Sequence, residues 1–291
     1  MRCGAFVIPF LLAMPLHGQA PPPDVAAITN LSASVRAAGM AGAAVALTGD
    51  AAVVFDNPAI IGTIRHLAVE AGYARLPDNR WYTSSAMALR AGPVSVGGGL
   101  RYLRYPEAHP LTDNLEWVAA AAVRLRGVHV GASADYVSVE DSAGAIRRTL
   151  TEDVGVMVAF FDIAGLALSF ENLGRTRLSG DRLPLPARTH LGFSLNLIDT
   201  YSNGRLVGLI ETVWTAGAPR RTILGLEAGA VLHGIGVVAR IGHGAAPAGS
   251  EIGSTSYGGS LVLGRARIDY AYQNRSAIGR SVHLVGVHWT P

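Results

Sequence analysis

"VHVGASADY", residues 128–136, alternates without a break. Val128, Val130, Ala132, Ala134 and Tyr136 fall on one face, and His129, Gly131, Ser133 and Asp135 on the other. A strand turns successive side chains to opposite faces, so this pattern predicts a β-strand between two unlike environments. The period recurs in "DVGVMVAF" (153–160), "HLGFSLNL" (190–197) and "RARIDYAYQ" (265–273). In each, Val, Leu, Ile, Phe and Tyr oppose Gly, Ser, Asn, Asp and Arg. Helical periodicity is nowhere as sustained.

Fourteen such runs follow one another, at about 66–75, 80–90, 93–104, 115–125, 128–140, 148–160, 163–172, 187–197, 204–215, 220–232, 235–243, 254–263, 265–274 and 280–290. The faces of 80–90 and 204–215 are the most mixed. Each run has the length of a tilted outer-membrane strand, roughly 9–11 residues. An even number returns both chain ends to one side. The connections fall into two alternating sets. Those near 91, 126, 163, 233 and 264 are short, and "DTYSNG" near 201 is longer. Opposite them, 105–114, 140–146, 172–186, 242–253 and 274–280 are longer and more polar, whereas those near 78 and 218 are short. Tight periplasmic turns and longer external loops give this alternation. The expected fold is all-β: a 14-stranded antiparallel transmembrane β-barrel over 66–291.

Composition agrees. Charged residues are 15% of the 291 and hydrophobic residues 49%, against about 25% charged in an average soluble domain. All 24 basic residues are Arg, and the net charge of +3 is too small to imply nucleic acid. The lone cysteine, Cys3, lies in a leader: Arg2, an apolar run from Ala5 to Leu16, and small residues at Gly18 and Ala20. This reads as a signal peptide over 1–20, with export out of the cytoplasm. Residues 21–34 read as a tether, the first part of a 21–65 tether-and-hatch segment. No other run is long and apolar enough for a spanning helix.

If the apolar faces meet lipid, the other faces line a lumen. Its charges would be Glu70, Arg101, Glu116, Arg124, Asp135, Asp153, Glu171, Glu211, Glu227, Arg240, Arg267 and Asp269. Their mixed sign is unlike a selectivity ring and suits pairing. Val118, Val137, Met157, Val207, Leu209 and Val262 would line an apolar pocket or pack against a plug. Tyr73, Trp81, Tyr82, Tyr102, Trp117, Phe160, Phe161 and Trp214 are rim candidates, and Trp289 stands near the chain end. No metal spacing, nucleophile elbow or P-loop occurs, and "GGGLRY" from Gly97 lies on a strand. No catalytic residue, metal or cofactor is expected.

One stretch fits none of this. "SVRAAGMAGAAVALTGDAAVVFDNPAII", residues 34–61, is too small-residued for a core helix and too irregular for a strand. Its Ala and Gly suit close packing inside a narrow barrel. Arg36, Asp50 and Asp56 would then meet lumen charges such as Glu227 or Arg240, and Asn57-Pro58 would turn the chain toward the first strand.

This stretch resembles the N-terminal segment of the PorV/PorQ family, which belongs with the FadL-like outer-membrane barrels. The matching residues are Arg36, Gly39, Met40, Gly42, Asp50, Asn57, Pro58 and Ala59. A second match is Asn172, Leu173, Gly174, Leu183, Pro184, Leu185, Pro186 and Gly192, similar to the family's mid-barrel motif. The chain departs from the pattern at Ala41, where the family has Gly, and in its Thr290-Pro291 tail. The resemblance implies an N-terminal hatch in the lumen. It implies either a type IX secretion-associated interaction or shuttle barrel, with secretion-system proteins or secreted cargo as partners, or a FadL-like channel for hydrophobic small molecules such as long-chain fatty acids. In both readings the protein resides among the lipids of the outer membrane.

Overall fold

The computed structural model describes residues 27–107, 109–161, 163–173, 183, 185–198, 204–244, 255–275 and 280–291. Fourteen antiparallel strands close into one barrel. They are β1 Leu67–Arg75, β2 Trp81–Ala91, β3 Val94–Arg104, β4 Leu111–Leu125, β5 Val128–Asp141, β6 Ile146–Phe160 and β7 Ala164–Glu171, then β8 Arg188–Ile198, β9 Gly204–Thr215, β10 Arg221–Leu232, β11 Ile235–Gly244, β12 Thr255–Leu263, β13 Ala266–Arg275 and β14 Arg280–Trp289. Each strand pairs with its sequence neighbours, and β1 pairs with β14 through Val69–Trp289 to Arg75–His283. Closure leaves no unpaired edge, which a backbone in lipid requires. The two mixed-face runs are strands like the rest.

The alternation sorts the side chains as the pattern demands. On β5, Val128, Val130, Ala132 and Ala134 point outward, while His129, Gly131, Ser133 and Asp135 are buried inside. The outward face carries exposed apolar groups around the barrel, such as Val130, Leu166, Leu226, Leu261 and Val287. Tyr82 departs from the expected rim: it shares the inward parity of Ser84 and is 2% exposed, with its hydroxyl donating to the Ser32 carbonyl at 3.3 Å. Arg124 has inward parity but sits beside the Arg126–Gly127 turn. There it is exposed and donates to the Arg126 carbonyl rather than joining the lumen charges.

The short connections near 91, 126, 233 and 264 are tight turns at one end, and those near 78 and 218 lie at the other. His233 and Gly234, between β10 and β11, have φ of 51° and 81°. Two left-handed residues make the hairpin turn whose twist matches the strands. The opposite end carries the longer connections, of which 174–182, 184, 245–254 and 276–279 lie outside the described residues.

The hatch fills the lumen. It contains one short helix, α1 Val35–Ala38, and 3-10 turns at Ile28–Asn30, Ala51–Phe55 and Pro58–Thr63. Residues 27–34, expected as part of a tether, are already packed. Ile28 and Leu31 join Leu76, Tyr82, Leu103, Leu111, Val139 and Leu185 in an apolar cluster at the external half. The reason is their composition, since Ile28 and Leu31 are large apolar groups inside a chamber of apolar walls. From there the chain descends, and Ala52, Val54, Phe55 and Ile61 pack on Ala68, Ala86, Val118 and Ala120 toward the periplasmic end. It then leaves through Ile64 into β1. The signal peptide expected over 1–20 and residues 21–26 lie outside the described residues.

Candidate functional site

An irregular segment inside a barrel has many backbone groups that no ladder pairs, and each must find a partner. Here the wall supplies them. Arg101 donates to the Leu31 carbonyl at 2.8 Å, and Ser84 to that of Ala33 at 2.8 Å. Gln273 donates to the Ala38 carbonyl, and Arg221 to that of Ala41. In the other direction, the Ala41 N–H donates to Ser256 Oγ, the Ala51 N–H to Glu70, and the Ala44 and Val45 N–H groups both to Glu211 Oε2, at 2.7 and 3.0 Å.

Two charge networks complete the attachment. In the first, Arg36 holds Glu227 with two bonds, Nε to Oε2 at 2.6 Å and Nη2 to Oε1 at 2.7 Å. Arg240 reaches the same Glu227 oxygen at 2.7 Å and continues to Asp269 at 3.2 Å. Arg267 joins Asp269 to Asp50, at 2.7 and 3.1 Å, and Asp50 returns to Arg36 at 3.3 Å. Ser34 caps α1 through the Ala37 N–H and also donates to Asp50. The expected meeting of Arg36 and Asp50 with Glu227 and lumen arginines is therefore present. Asp56 is different: it is half-buried and forms no ion pair among the described residues.

In the second network, Arg101 pairs with Glu116 across the β3–β4 register and lies over the Phe55 ring at 4.4 Å. His190 stands between Glu171 and Glu211, at 3.1 and 2.8 Å. Arg188 approaches Glu171 at 3.7 Å and donates to Thr29 and Asn30 of the hatch. Asp135 accepts from Ser133, and Asp153 from the Asn172 N–H at 2.8 Å.

The sequence reading set His129 and His190 on the polar face of their strands but gave neither a partner, and it left His288 unplaced. His288 shares the parity of the buried Val282 and Leu284, and that parity is the signal that would have placed it. Asp50, Glu70 and His288 each bring a ligand atom within 4.8 Å of the others. Yet Asp50 already accepts from Arg36, Arg267 and Ser34. A metal ion beside two guanidiniums would be repelled, so this donor set suits arginine better than a metal.

The motif residues sort by what they touch. Asn57 is fully buried; its side chain donates to the Val45 carbonyl at 2.9 Å and accepts from the Ala59 N–H, capping the turn that begins at Pro58. Its Oδ1 lies where a Cβ on Gly155 would be, and Pro58 and Ala59 stand 2.6 Å from the corresponding point on Gly131. Met40 and Ala41 occupy the space over Gly242, Gly39 that over Gly258, and Val45 that over Gly192. Small residues in the wall thus seat the hatch backbone. In the mid-barrel motif, Asn172 adopts φ 61° and donates to the Pro186 carbonyl, while Leu183 and Leu185 are buried in the external apolar cluster. Leu173 is exposed, and Gly174 and Pro184 lie outside the described residues. Of the apolar pocket candidates, Met157, Val207 and Leu209 pack on hatch residues 37–60, Val118 on Phe55, and Val137 in the external cluster; Val262 is half-buried.

A closed fourteen-stranded barrel, apolar outside and filled by its own N-terminal segment, is an outer-membrane β-barrel with a plugged lumen. Solved structures share the fold. The toluene transporter TodX of Pseudomonas putida superposes with a TM-score of 0.62 at 11% identity, over 88% of this chain and 97% of that one. The toluene transporter TbuX of Ralstonia pickettii gives 0.57 at 12%, over 88% and 96%. The monoaromatic hydrocarbon channel CymD gives 0.61 at 11%, over 88% and 97%. No protein-family model and no curated protein sequence matches the chain.

Proposed function

We propose that this protein is an outer-membrane channel that admits small hydrophobic molecules, with monoaromatic hydrocarbons the first class to test. The observation that carries the reading is the external apolar chamber. A water-filled porin keeps a polar interior. Here Leu76, Leu103, Leu111, Val139, Leu185 and Leu284 line the lumen mouth instead, with Tyr82 and Tyr105 among them. Apolar walls with few polar groups suit a hydrophobic solute. The fold shared with TodX, TbuX and CymD, whose names describe such transport, supports it. The chamber is filled by Ile28, Leu31 and Val35, so passage requires this part of the hatch to withdraw. On this reading residues 1–20 are removed on export, 21–65 form the hatch, and 66–291 form the barrel.

The test is uptake of radiolabelled toluene by a strain that lacks the gene and by the complemented strain. Faster uptake on complementation is the expected result, and equal rates would sink the channel. The alternative, a secretion-associated interaction barrel, rests on the resemblance of the hatch and mid-barrel motifs. It requires instead that the deletion strain lose exported proteins from its surface.

A further inference from the structure

We propose that the outward face at the external ends of β13, β14, β1, β2 and β3 binds the phosphorylated saccharide headgroup of an outer-leaflet glycolipid. The register places one row of side chains around this part of the rim. Tyr272 pairs with His283, His283 with Arg75, Arg75 with Trp81, and Trp81 with Arg104. All five have outward parity, and Arg75, Arg104 and His283 are exposed. Adjacent strands lie about 4.8 Å apart, so the backbones of Arg75 and Arg104 stand roughly 10 Å apart with Trp81 on the strand between them. That spacing presents two anion-binding forks and a flat apolar surface to one polyanionic headgroup.

The row is built, not scattered. Trp81 packs edge-on against Tyr102 at 5.2 Å. His283 Nδ1 and the Tyr270 hydroxyl share a hydrogen bond at 2.7 Å, and the His283 ring meets the edge of Tyr272 at 5.3 Å. Among the described residues Arg75 bonds only the amide oxygen of Asn79, and Arg104 makes no ion pair. The row ends at a carboxylate: Asp113, opposite Arg104 in the β3–β4 register, accepts the Tyr102 hydroxyl at 2.6 Å and forms no ion pair with Arg104 among the described residues. Depth supports the assignment. Arg75 and Arg104 are the last residues of β1 and β3, Trp81 is the first of β2, and below them the outward face turns aliphatic through Val69, Met87, Leu89 and Val96. The cations therefore lie at headgroup level, on the side of the longer loops. Among the described residues, the outward face at the opposite end, with Leu67, Val94, Leu261 and Val287, offers no such row.

The test uses the full-length protein extracted from outer membranes in a mild non-ionic detergent, with retained lipid read by mass spectrometry of the intact complex. The wild-type barrel is expected to carry phosphorylated glycolipid. The double variant Arg75→Ala/Arg104→Ala should lose about thirtyfold in retention, the size of two interfacial charges. Arg65→Ala/Arg265→Ala at the periplasmic rim should lose none. Phosphatase-treated glycolipid should fail to replace the native lipid on the wild-type protein, an arm that needs no variant to fold. Unchanged retention in the Arg75/Arg104 variant, equal retention of the dephosphorylated glycolipid, or equal retention of an anionic diacyl phospholipid would each overturn the proposal.

Discussion

Ala41 is held at φ 57°, in the left-handed region, with its N–H on Ser256 and its carbonyl on Arg221. An L-residue pays about 1–2 kcal/mol there, and glycine pays part of that back through its looser unfolded state. Ala41→Gly should therefore raise the unfolding free energy by about 0.5–1 kcal/mol, measured by urea titration in detergent. Glu227 sits between two arginines, and its removal leaves both guanidiniums buried without that partner. Glu227→Ala should cost about 3–5 kcal/mol in the same titration, and Arg36→Ala/Glu227→Ala should cost less than the sum of the two single changes. Additive losses would show that the Arg36–Glu227 contact carries no coupling. At Gly155 the obstacle is steric: any Cβ meets Asn57 Oδ1. Gly155→Val should unseat the 57–61 turn and expose residues 50–61 to added protease, while the barrel still runs as a folded band.

At the scale of elements, the wall was legible from sequence and the plug only partly. All fourteen strands follow from period-2 alternation, because lipid on one side and a polar lumen on the other impose opposite demands at every step. Even the mixed runs at 80–90 and 204–215 obey it once their neighbours set the register. Strand ends were less clear. β4 begins at Leu111 and β6 at Ile146, earlier than the pattern suggests, since strands that rise above the membrane no longer need an apolar face. The hatch has no period. Its path is set by pairings such as Arg36 with Glu227, remote in sequence, and by strand glycines that offer space rather than a group. Composition gives no sign of which glycine faces which hatch residue. Arg36 and Asp50 could be matched to lumen charges because few groups of either sign were available. The wall donors Ser84, Ser256 and Gln273 carried no comparable mark. Deleting residues 36–61 should open an ion-conducting pore in planar bilayers, since the charge networks then face water. Unchanged conductance would mean that these residues are not the barrier.

For the whole molecule, the external apolar chamber, the charged middle and the chain-filled lumen form one path that the hatch blocks along its length. The hatch also enters every sector of the wall: Gly131 on β5, Gly192 on β8, Glu227 on β10, Gly258 on β12 and Glu70 on β1. This bears on assembly. The seam between β1 and β14 joins the two ends of the barrel sequence, the slowest kind of contact to make by chance. A segment that binds early strands and late strands alike shortens that search, acting as a mandrel on which the sheet is wound. Refolding of the hatch-deleted chain into lipid vesicles should then be slower than that of the intact chain, followed by the band shift on unheated gels. The same residues that keep the finished pore shut would, on this account, be what first brings its walls together.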